Sequence, residues 1–384
     1  MCPEDVGTRR PPSSLRVAIV MRCAAPGQVS LERVFGELSK SMPNWVECVL
    51  VTLPRPSTSI IGFVLNACVI RSLDADVIHF GGDVTVFSPF VQRDRAVVTT
   101  FADLVPLHAR SGLRRALIRL LWYVLPLRRS NICVAISQST RSEARAAYGQ
   151  KADDMRVVYC PAPRATPTTT DARSGVLHVG AAGHKNLRRT LRALEGTGIP
   201  VRVVGVPPAD DVAYAEELGV PLTCGTVSES ELFDLYRKSA ALVFPSLYEG
   251  FGLPIVEAQA SGCPVITSRG YSMQEVADRA AVYVDPYDVT DIRRAILQIV
   301  EDPDLARSLA DLGRANVERF KPSVLADEYA ELYFEAANAE RGWRFRTRKQ
   351  RWYWVAQRVQ SGSEVRRSSH APARRSTSSG PAPS

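Results

Sequence analysis

The sequence predicts an α/β protein built from two doubly wound parallel sheets that face each other across a cleft. Three observations point there. Short apolar runs alternate with amphipathic helical segments from residue 15 to about 320, as repeated βα units require. The alternation is interrupted by PAPRATPTTTDARS (161–174), a Pro- and Thr-rich stretch that reads as an interdomain linker. At 384 residues the chain exceeds one ordinary core and fits two. Paired parallel sheets bind ligands beyond the carboxyl ends of their strands, so a site is expected in the cleft.

In chain order, residues 1–14 are polar and read as a flexible leader. LRVAIVM (15–21) suits a first strand better than a secretory signal. VECVLV, DVIHF, AVVTTF, ICVAI and RVVYC complete an N-terminal domain over 15–160. Gly27 fits the tight loop after the first strand, and the next helix, from about Ser30, starts with Ser30 and Arg33 exposed; this loop is an acceptor-side candidate. His79, Gly81, Gly82 and Asp83 gather at the end of the third strand, where His79 and Asp83 are further candidates. GLRRALIRLLWYVL (112–125) puts Leu113, Leu117, Leu121 and Val124 on one helical stripe, with Arg115, Arg119 and Trp122 opposite. The apolar stretch there contains Arg119 and is too short to span a bilayer. After the linker, VLHVG, VRVVGV, PLTC, ALVF, PVIT and AVYVD form a second domain over 175–322, followed by a final helix over 323–340. Ser228 with Glu231 fits a capping box.

The most informative segment is PSLYEGFGLPIVEAQASGCPVI (245–266). A buried strand, ALVF, stops at Pro245, and Pro254 suits a helix start, so Glu249 falls on the loop and Glu257 in the helix's first turn. Gly250 and Gly252 let backbone approach a ligand closely, and the helix start offers N–H groups to a phosphate. The segment reads as a nucleoside-diphosphate site with a carboxylate on either side.

E-G-F-G-L-P-x-x-E-A followed by S-G-C-P-V-I resembles the signature of the retaining glycosyltransferases of family 4, which have the GT-B fold of two Rossmann-like domains. The resemblance covers roughly residues 15–320 and is tighter in the C-terminal half. It implies that Glu257 binds the donor ribose, that Glu249 lies against the donor sugar, and that the turn Gly250, Phe251, Gly252, Leu253 meets the diphosphate. VLHVGAAGHKNL resembles the family's K-N segment, so Lys185 is expected to neutralise the leaving phosphates, with His184 where an arginine often stands. CGTVSESEL resembles the nucleobase loop, making Thr226 and Val227 base contacts. VVTTFADLVPL resembles the family's T-x-H-D stretch; Asp103 is kept, but its histidine position is Ala102. The family also implies that the last helix crosses back to the N-terminal domain.

Charge is unevenly placed. The net charge is +8, but residues 341–384 hold eleven Arg or Lys against the single acid Glu364, leaving −2 for the rest. RGWRFRTRKQRWYWVAQRV (341–359) mixes tryptophans with basic residues and no acid, which favours an anionic membrane surface over nucleic acid beside a glycosyltransferase body. Beyond 360 the Ser-, Pro- and Arg-rich composition predicts disorder. Eight cysteines without metal-ligand spacing fit a reducing cytosol. The expectation is a cytoplasmic enzyme, peripheral at the inner membrane face. It needs no cofactor or metal and moves a sugar, mannose as first guess, from a nucleotide-diphosphate sugar to a glycan or lipid-linked acceptor. A catalytically degenerate binding subunit and a nucleotide-sugar epimerase are the alternatives.

Overall fold

Strands buried on both faces need no alternation, so a run of apolar residues bounded by turn formers is a parallel strand. The computed structural model describes residues 14–23, 30–57, 59–102, 112–162 and 173–340 and shows twelve strands among them, the central ones buried on both faces and the edge strands β2 and β9 partly exposed. The first six are β1 (Leu15–Met21), β2 (Val46–Thr52), β3 (Val77–Gly81), β4 (Ala96–Phe101), β5 (Ile132–Ala135) and β6 (Arg156–Val157), ordered β2-β1-β3-β4-β5-β6. The second six are β7 (Val176–Val179), β8 (Val201–Val204), β9 (Leu222–Gly225), β10 (Ala241–Phe244), β11 (Val265–Ser268) and β12 (Val282–Val284), ordered β12-β11-β10-β7-β8-β9. Neighbouring strands pair parallel in both sheets, for example Leu242 with Leu177 between β10 and β7. Strand order reverses between β1 and β3 in the first sheet and between β7 and β10 in the second, the crevices where such folds bind ligands.

The helices are α1 (Ser30–Lys40), α2 (Ile60–Ser72), α3 (Gly112–Ile118), α4 (Leu125–Arg129), α5 (Gln138–Tyr148), α6 (Leu187–Leu194), α7 (Ala209–Glu217), α8 (Glu229–Lys238), α9 (Leu253–Ala260), α10 (Tyr271–Ala277), α11 (Val289–Glu301), α12 (Pro303–Val317) and α13 (Pro322–Glu340). Their starts are chemically marked. Ser59 and Ser137 accept from the third helical N–H of α2 and α5, Ser228 and Glu231 form a reciprocal capping box on α8, and Asp288 and Asp302 cap α11 and α12.

α13 carries the chain back to the first sheet. Leu325, Tyr329 and Tyr333 are buried in one cluster with Val17, Ile19 and Val98 of β1 and β4. The described residues accordingly all fall in one compact unit, Met1–Arg341, although each sheet keeps its own core. His79 is the polar key to this docking. Its Nδ1 lies 2.7 Å from Tyr333 Oη and its Nε2 2.7 Å from Thr100 Oγ1, with no exposed surface. The expectation that His79 lines the acceptor side is therefore corrected: both ring nitrogens are used in joining α13 to β3 and β4.

A π-helical turn (Arg119–Val124) links α3 to α4, the Leu125 N–H reaching the Leu120 carbonyl five residues back. The expected stripe is corrected at Leu121: the exposed residues follow the ordinary helical spacing i, i+4, i+7. Leu113, Leu117 and Leu120 are exposed, while Leu121 and Trp122 turn inward against the cluster of Phe80 and Phe87.

Candidate active site

The best-formed constellation lies at the reversal of strand order in the second sheet. After β7, Gly180 adopts φ +95°, and a Cβ there would stand 3.0 Å from the Lys185 side chain. Glycine thus lets the lysine stem lie across the strand end. Gly183–Lys185 forms a 3-10 turn, and Asn186 then takes a left-handed conformation (φ 65°) before α6. Asn186 is buried and its Nδ2 donates to the carbonyls of Pro245 (3.0 Å) and Pro286 (2.7 Å). One side chain therefore ties the loop after β7 to those after β10 and β12. The Leu247 N–H donates to the His184 carbonyl at 2.8 Å and closes the same junction.

That junction delivers Lys185 to Glu249. Lys185 Nζ donates to Oε1 at 2.6 Å and sits 4.7 Å from the Phe244 ring centroid. The two side chains are 17% and 12% exposed, so the pair is mostly withdrawn from water and each charge depends on its partner. The Glu249 carbonyl accepts from Ser272 Oγ (2.9 Å), and the Gly250 carbonyl accepts from Ser137 Oγ (2.8 Å) and Thr140 Oγ1 (3.2 Å) at the start of α5. The first sheet's side thus holds the turn from which Glu249 projects. Gly252, at φ 96°, is the N-cap of α9.

Glu257 lies in the second turn of α9, not the first, because the helix begins at Leu253 with Pro254 second. It binds side chains rather than capping backbone. Its Oε2 accepts from Tyr236 Oη at 2.9 Å and its Oε1 from Arg33 Nη2 at 2.7 Å. Tyr236 is buried, and burial followed by the Glu257 charge pushes its pKa well above the usual phenol value, so it remains a donor. Arg33 comes from α1 on the first sheet's side and its Nε also meets Glu229 of α8 at 3.2 Å. Sequence reasoning placed Arg33 on the acceptor side; the structure pairs it with the carboxylate expected to bind ribose.

The other expected residues divide. His184 is exposed beside Lys185. Thr226 is exposed and Val227 half-buried in the turn between β9 and α8, leaving backbone accessible there. Leu253 is half-buried at the start of α9. The Phe251 ring is core: it packs against Tyr159 (6.0 Å between centroids) and Phe320 (5.7 Å), so only its backbone can face a ligand. The backbone of Asp83 lies in the 3-10 segment Gly82–Phe90 after β3. The Asp83 side chain, Asp103, Gly27 and residues 341–384 lie outside the described residues. Ala102 sits half-buried at the end of β4, where its carbonyl accepts from Thr140 Oγ1 at 3.5 Å. Tyr236 and the partnership of Arg33 with Glu257 were not anticipated; no local pattern marks a contact between residues 224 apart.

Two family models account for the two halves of this architecture. Residues 17–164 match the model described as Glycosyltransferase Family 4, and residues 175–316 match Glycosyl transferases group 1. The chain belongs to this glycosyltransferase family. Among curated relatives it is 40% identical over 96 residues to O-antigen chain mannosyltransferase B of Escherichia coli, a match covering 25% of each chain. The chain thus spans about a quarter of that relative's length. Among solved structures, sucrose-phosphate synthase of Thermosynechococcus elongatus superposes with a TM-score of 0.69 at 20% identity, covering 85% of this chain and all of that one. Anabaena Alr3699/HepE, solved in complex with UDP and glucose, gives a TM-score of 0.65 at 16% identity over 83% of this chain and 99% of its own. At these identities the structures establish the fold, which is GT-B.

Proposed function

We propose that the cleft takes a nucleoside-diphosphate sugar and transfers the sugar, mannose as first choice, with retention of configuration to a glycan or lipid-linked glycan. The observation that carries this reading is the pair Lys185–Glu249 at the strand-order reversal, beside the start of α9. Departure of a nucleoside diphosphate builds negative charge on phosphate oxygen and positive charge at the anomeric carbon. The Lys185 ammonium and the N-terminus of α9 are fixed where they meet the first, and the Glu249 carboxylate is held where it meets the sugar. With retention, the bond from anomeric carbon to diphosphate breaks as the acceptor oxygen adds on the same face, and the acceptor proton passes to the leaving phosphate. Glu249 then orients the sugar and need not become covalently attached. Glu257, whose orientation Tyr236 fixes, takes the ribose hydroxyls, and the backbone of Thr226 and Val227 takes the base. Lysine and helix dipole serve in place of a metal or other cofactor. The mannose preference rests on relatives named mannosyltransferases.

A lipid-linked acceptor is supported by the surface of the first half. Ile60, Ile61, Val64 and Leu65 of α2, Leu113 and Leu117 of α3 and Leu120 of the π-helical turn are exposed, Ile60 by 84% and Leu113 by 87%. Residues 60–72 and 112–129 contain no acid, and Arg71, Arg115, Arg119 and Arg128 stand among the apolar groups. Apolar side chains flanked by arginines suit an anionic bilayer, and the segment 341–359 would add to that attraction at the inner face of a membrane. No helix among the described residues is long and apolar enough to cross one.

The decisive experiment is thermal-shift screening against GDP-, UDP-, ADP- and dTDP-sugars beside Glu257→Ala, followed by NMR assignment of the product anomer. A donor-specific rise lost in the variant and a retained anomer are expected; no rise with any donor, or an inverted product, refutes the reading. Ala102 at the end of β4 favours one second reading, a subunit that binds donor without transferring. It predicts the thermal shift without product.

A further inference from the structure

The two ends of the donor cleft are closed differently. At the sugar end, Lys185 and Glu249 both come from loops of the second sheet. At the ribose end, the Glu257 carboxylate is 5% exposed, and its lid is an arginine from the opposite side. Arg33 Nη2 occupies Oε1 at 2.7 Å and Tyr236 Oη occupies Oε2 at 2.9 Å. Behind Arg33, Val34 of α1 is buried in the same cluster as Leu232, Phe233 and Tyr236 of α8, and Glu229 of α8 anchors the guanidinium at 3.2 Å. A ribose diol must donate its hydroxyl protons to Glu257, and although each carboxylate oxygen can accept twice, Arg33 lies over Oε1 and leaves the side chain 5% exposed, so the approach is covered. Of the two donors on Glu257, Tyr236 is buried within the same half as Glu257, whereas Arg33 is 26% exposed on a helix of the other half. Tyr236 is fixed; Arg33 is the displaceable one.

We infer that Arg33 is a gate on the donor site: it fills the ribose position on Glu257 until a nucleoside diphosphate displaces it. The inference rests on the reading of Glu257 as the ribose carboxylate. When the binding-competent form is only a fraction of the population, apparent affinity falls by that fraction. Removing the plug therefore tightens binding, and it acts on the association rate because the closed form is the one that cannot accept ligand. A residue that touched the bound nucleotide would do the reverse, its loss weakening binding through faster dissociation. A residue that only braced the two halves would change stability and leave both rates alone.

The test is surface plasmon resonance of unlabelled GDP, UDP, ADP and dTDP over the immobilised full chain, comparing wild type, Arg33→Ala, Arg33→Lys and Glu257→Ala. Wild type is expected to bind one diphosphate and Glu257→Ala to lose it; if wild type binds none, or Glu257→Ala binds normally, the donor-site reading itself fails. Given those controls, Arg33→Ala is expected to lower Kd about tenfold, the scale of one charged hydrogen bond, chiefly through a faster association rate. Arg33→Lys replaces the planar fork whose Nε and Nη2 reach Glu229 and Glu257 separately with one point charge and is expected to shift in the same direction by less, which keeps the test alive if the alanine variant misfolds. Unchanged or raised Kd in the folded variants overturns the gate while leaving the donor site standing.

Discussion

Lys185 is the residue whose removal tests most of the site at once. Lys185→Met keeps the aliphatic stem that crosses Gly180 and deletes only the ammonium. Glu249 then keeps its charge at 12% exposure without the partner 2.6 Å away. Breaking a fully buried pair from one side costs about 3–5 kcal/mol, and the residual exposure of both side chains brings the expectation to about 2 kcal/mol. Urea unfolding of the full chain measures it. Glu249→Gln alone leaves the lysine unpaired and should cost a similar amount, but the double variant Lys185→Met/Glu249→Gln leaves no orphaned charge. The cycle should therefore show a coupling of about 1–2 kcal/mol, the double variant being more stable than the sum of the singles. On turnover the singles should each lose about a hundredfold or more in kcat, since an ammonium aimed at developing phosphate charge is of that value, and the double variant should recover none of it. Recovery of stability without recovery of rate separates pairing from catalysis. Additivity within about 0.5 kcal/mol would refute the claim that the two charges depend on each other.

Three further outcomes follow from the geometry. Tyr236→Phe removes the fixed donor on Glu257 Oε2 and should raise the Kd for the preferred nucleoside diphosphate several-fold by calorimetry; an unchanged Kd would show that the hydroxyl does not orient the carboxylate. Burial lowers the pKa of His79 to about 3 and that of His178 to about 4. Each is neutral when folded but binds a proton near pH 6.5 when unfolded. Stability should therefore be intact above pH 6.5 and fall below it, by about 1.4 kcal/mol per pH unit for each histidine. His79→Gln should flatten that slope between pH 6 and 4 in urea titrations; the same slope in the variant would assign the acid lability to other groups. Leu113→Asp/Leu117→Asp should cut co-sedimentation with anionic vesicles about tenfold or more at unchanged melting temperature; equal sedimentation would move the membrane contact away from α3.

Legibility of the sequence tracked how local each cause was. ALVF and AVVTTF announce strands because every residue in β10 and β4 is buried, so composition alone carries the signal. Ser228 and Glu231 announce the start of α8 because both halves of the capping box lie within one turn. The loop position of Glu249 was legible for the same reason, Gly250 and Gly252 being its neighbours in the chain, whereas Glu257 fell one turn later than expected and is oriented by Tyr236 and Arg33. What the sequence hid depends on distant partners. His79 reads as a polar group at a strand end until Tyr333 arrives from 254 residues away to claim it. Phe251 sits inside the motif but packs on Tyr159 and Phe320, which belong to the other stretches that wall its cluster. Leu113, Leu117 and Leu120 share an exposed face at ordinary helical spacing, whereas Leu121 is held inward against the cluster of Phe80 and Phe87, a packing set by residues distant in the chain.

The cations explain how two carboxylates tolerate one cleft that has to receive a polyanion. Each is neutralised before ligand arrives, Glu249 by Lys185 and Glu257 by Arg33, so the empty site does not present bare negative charge to a diphosphate. On the proposed reading the donor enters by exchanging partners. The diphosphate draws the Lys185 ammonium, which turns Glu249 toward the sugar where positive charge develops, and the ribose diol takes Glu257 from Arg33. Each exchange replaces one charge-assisted contact by another, so little net pairing is lost and no bare carboxylate has to be desolvated. The order matters for specificity. A free sugar brings no diphosphate to draw off Lys185, and inorganic pyrophosphate brings no diol to displace Arg33; only a ligand that carries both nucleoside and diphosphate releases both carboxylates together. Sugar alone and pyrophosphate alone should accordingly bind far more weakly than their share of contacts suggests, and Arg33→Ala should widen the gap between pyrophosphate and nucleoside diphosphate by tightening the nucleotide alone.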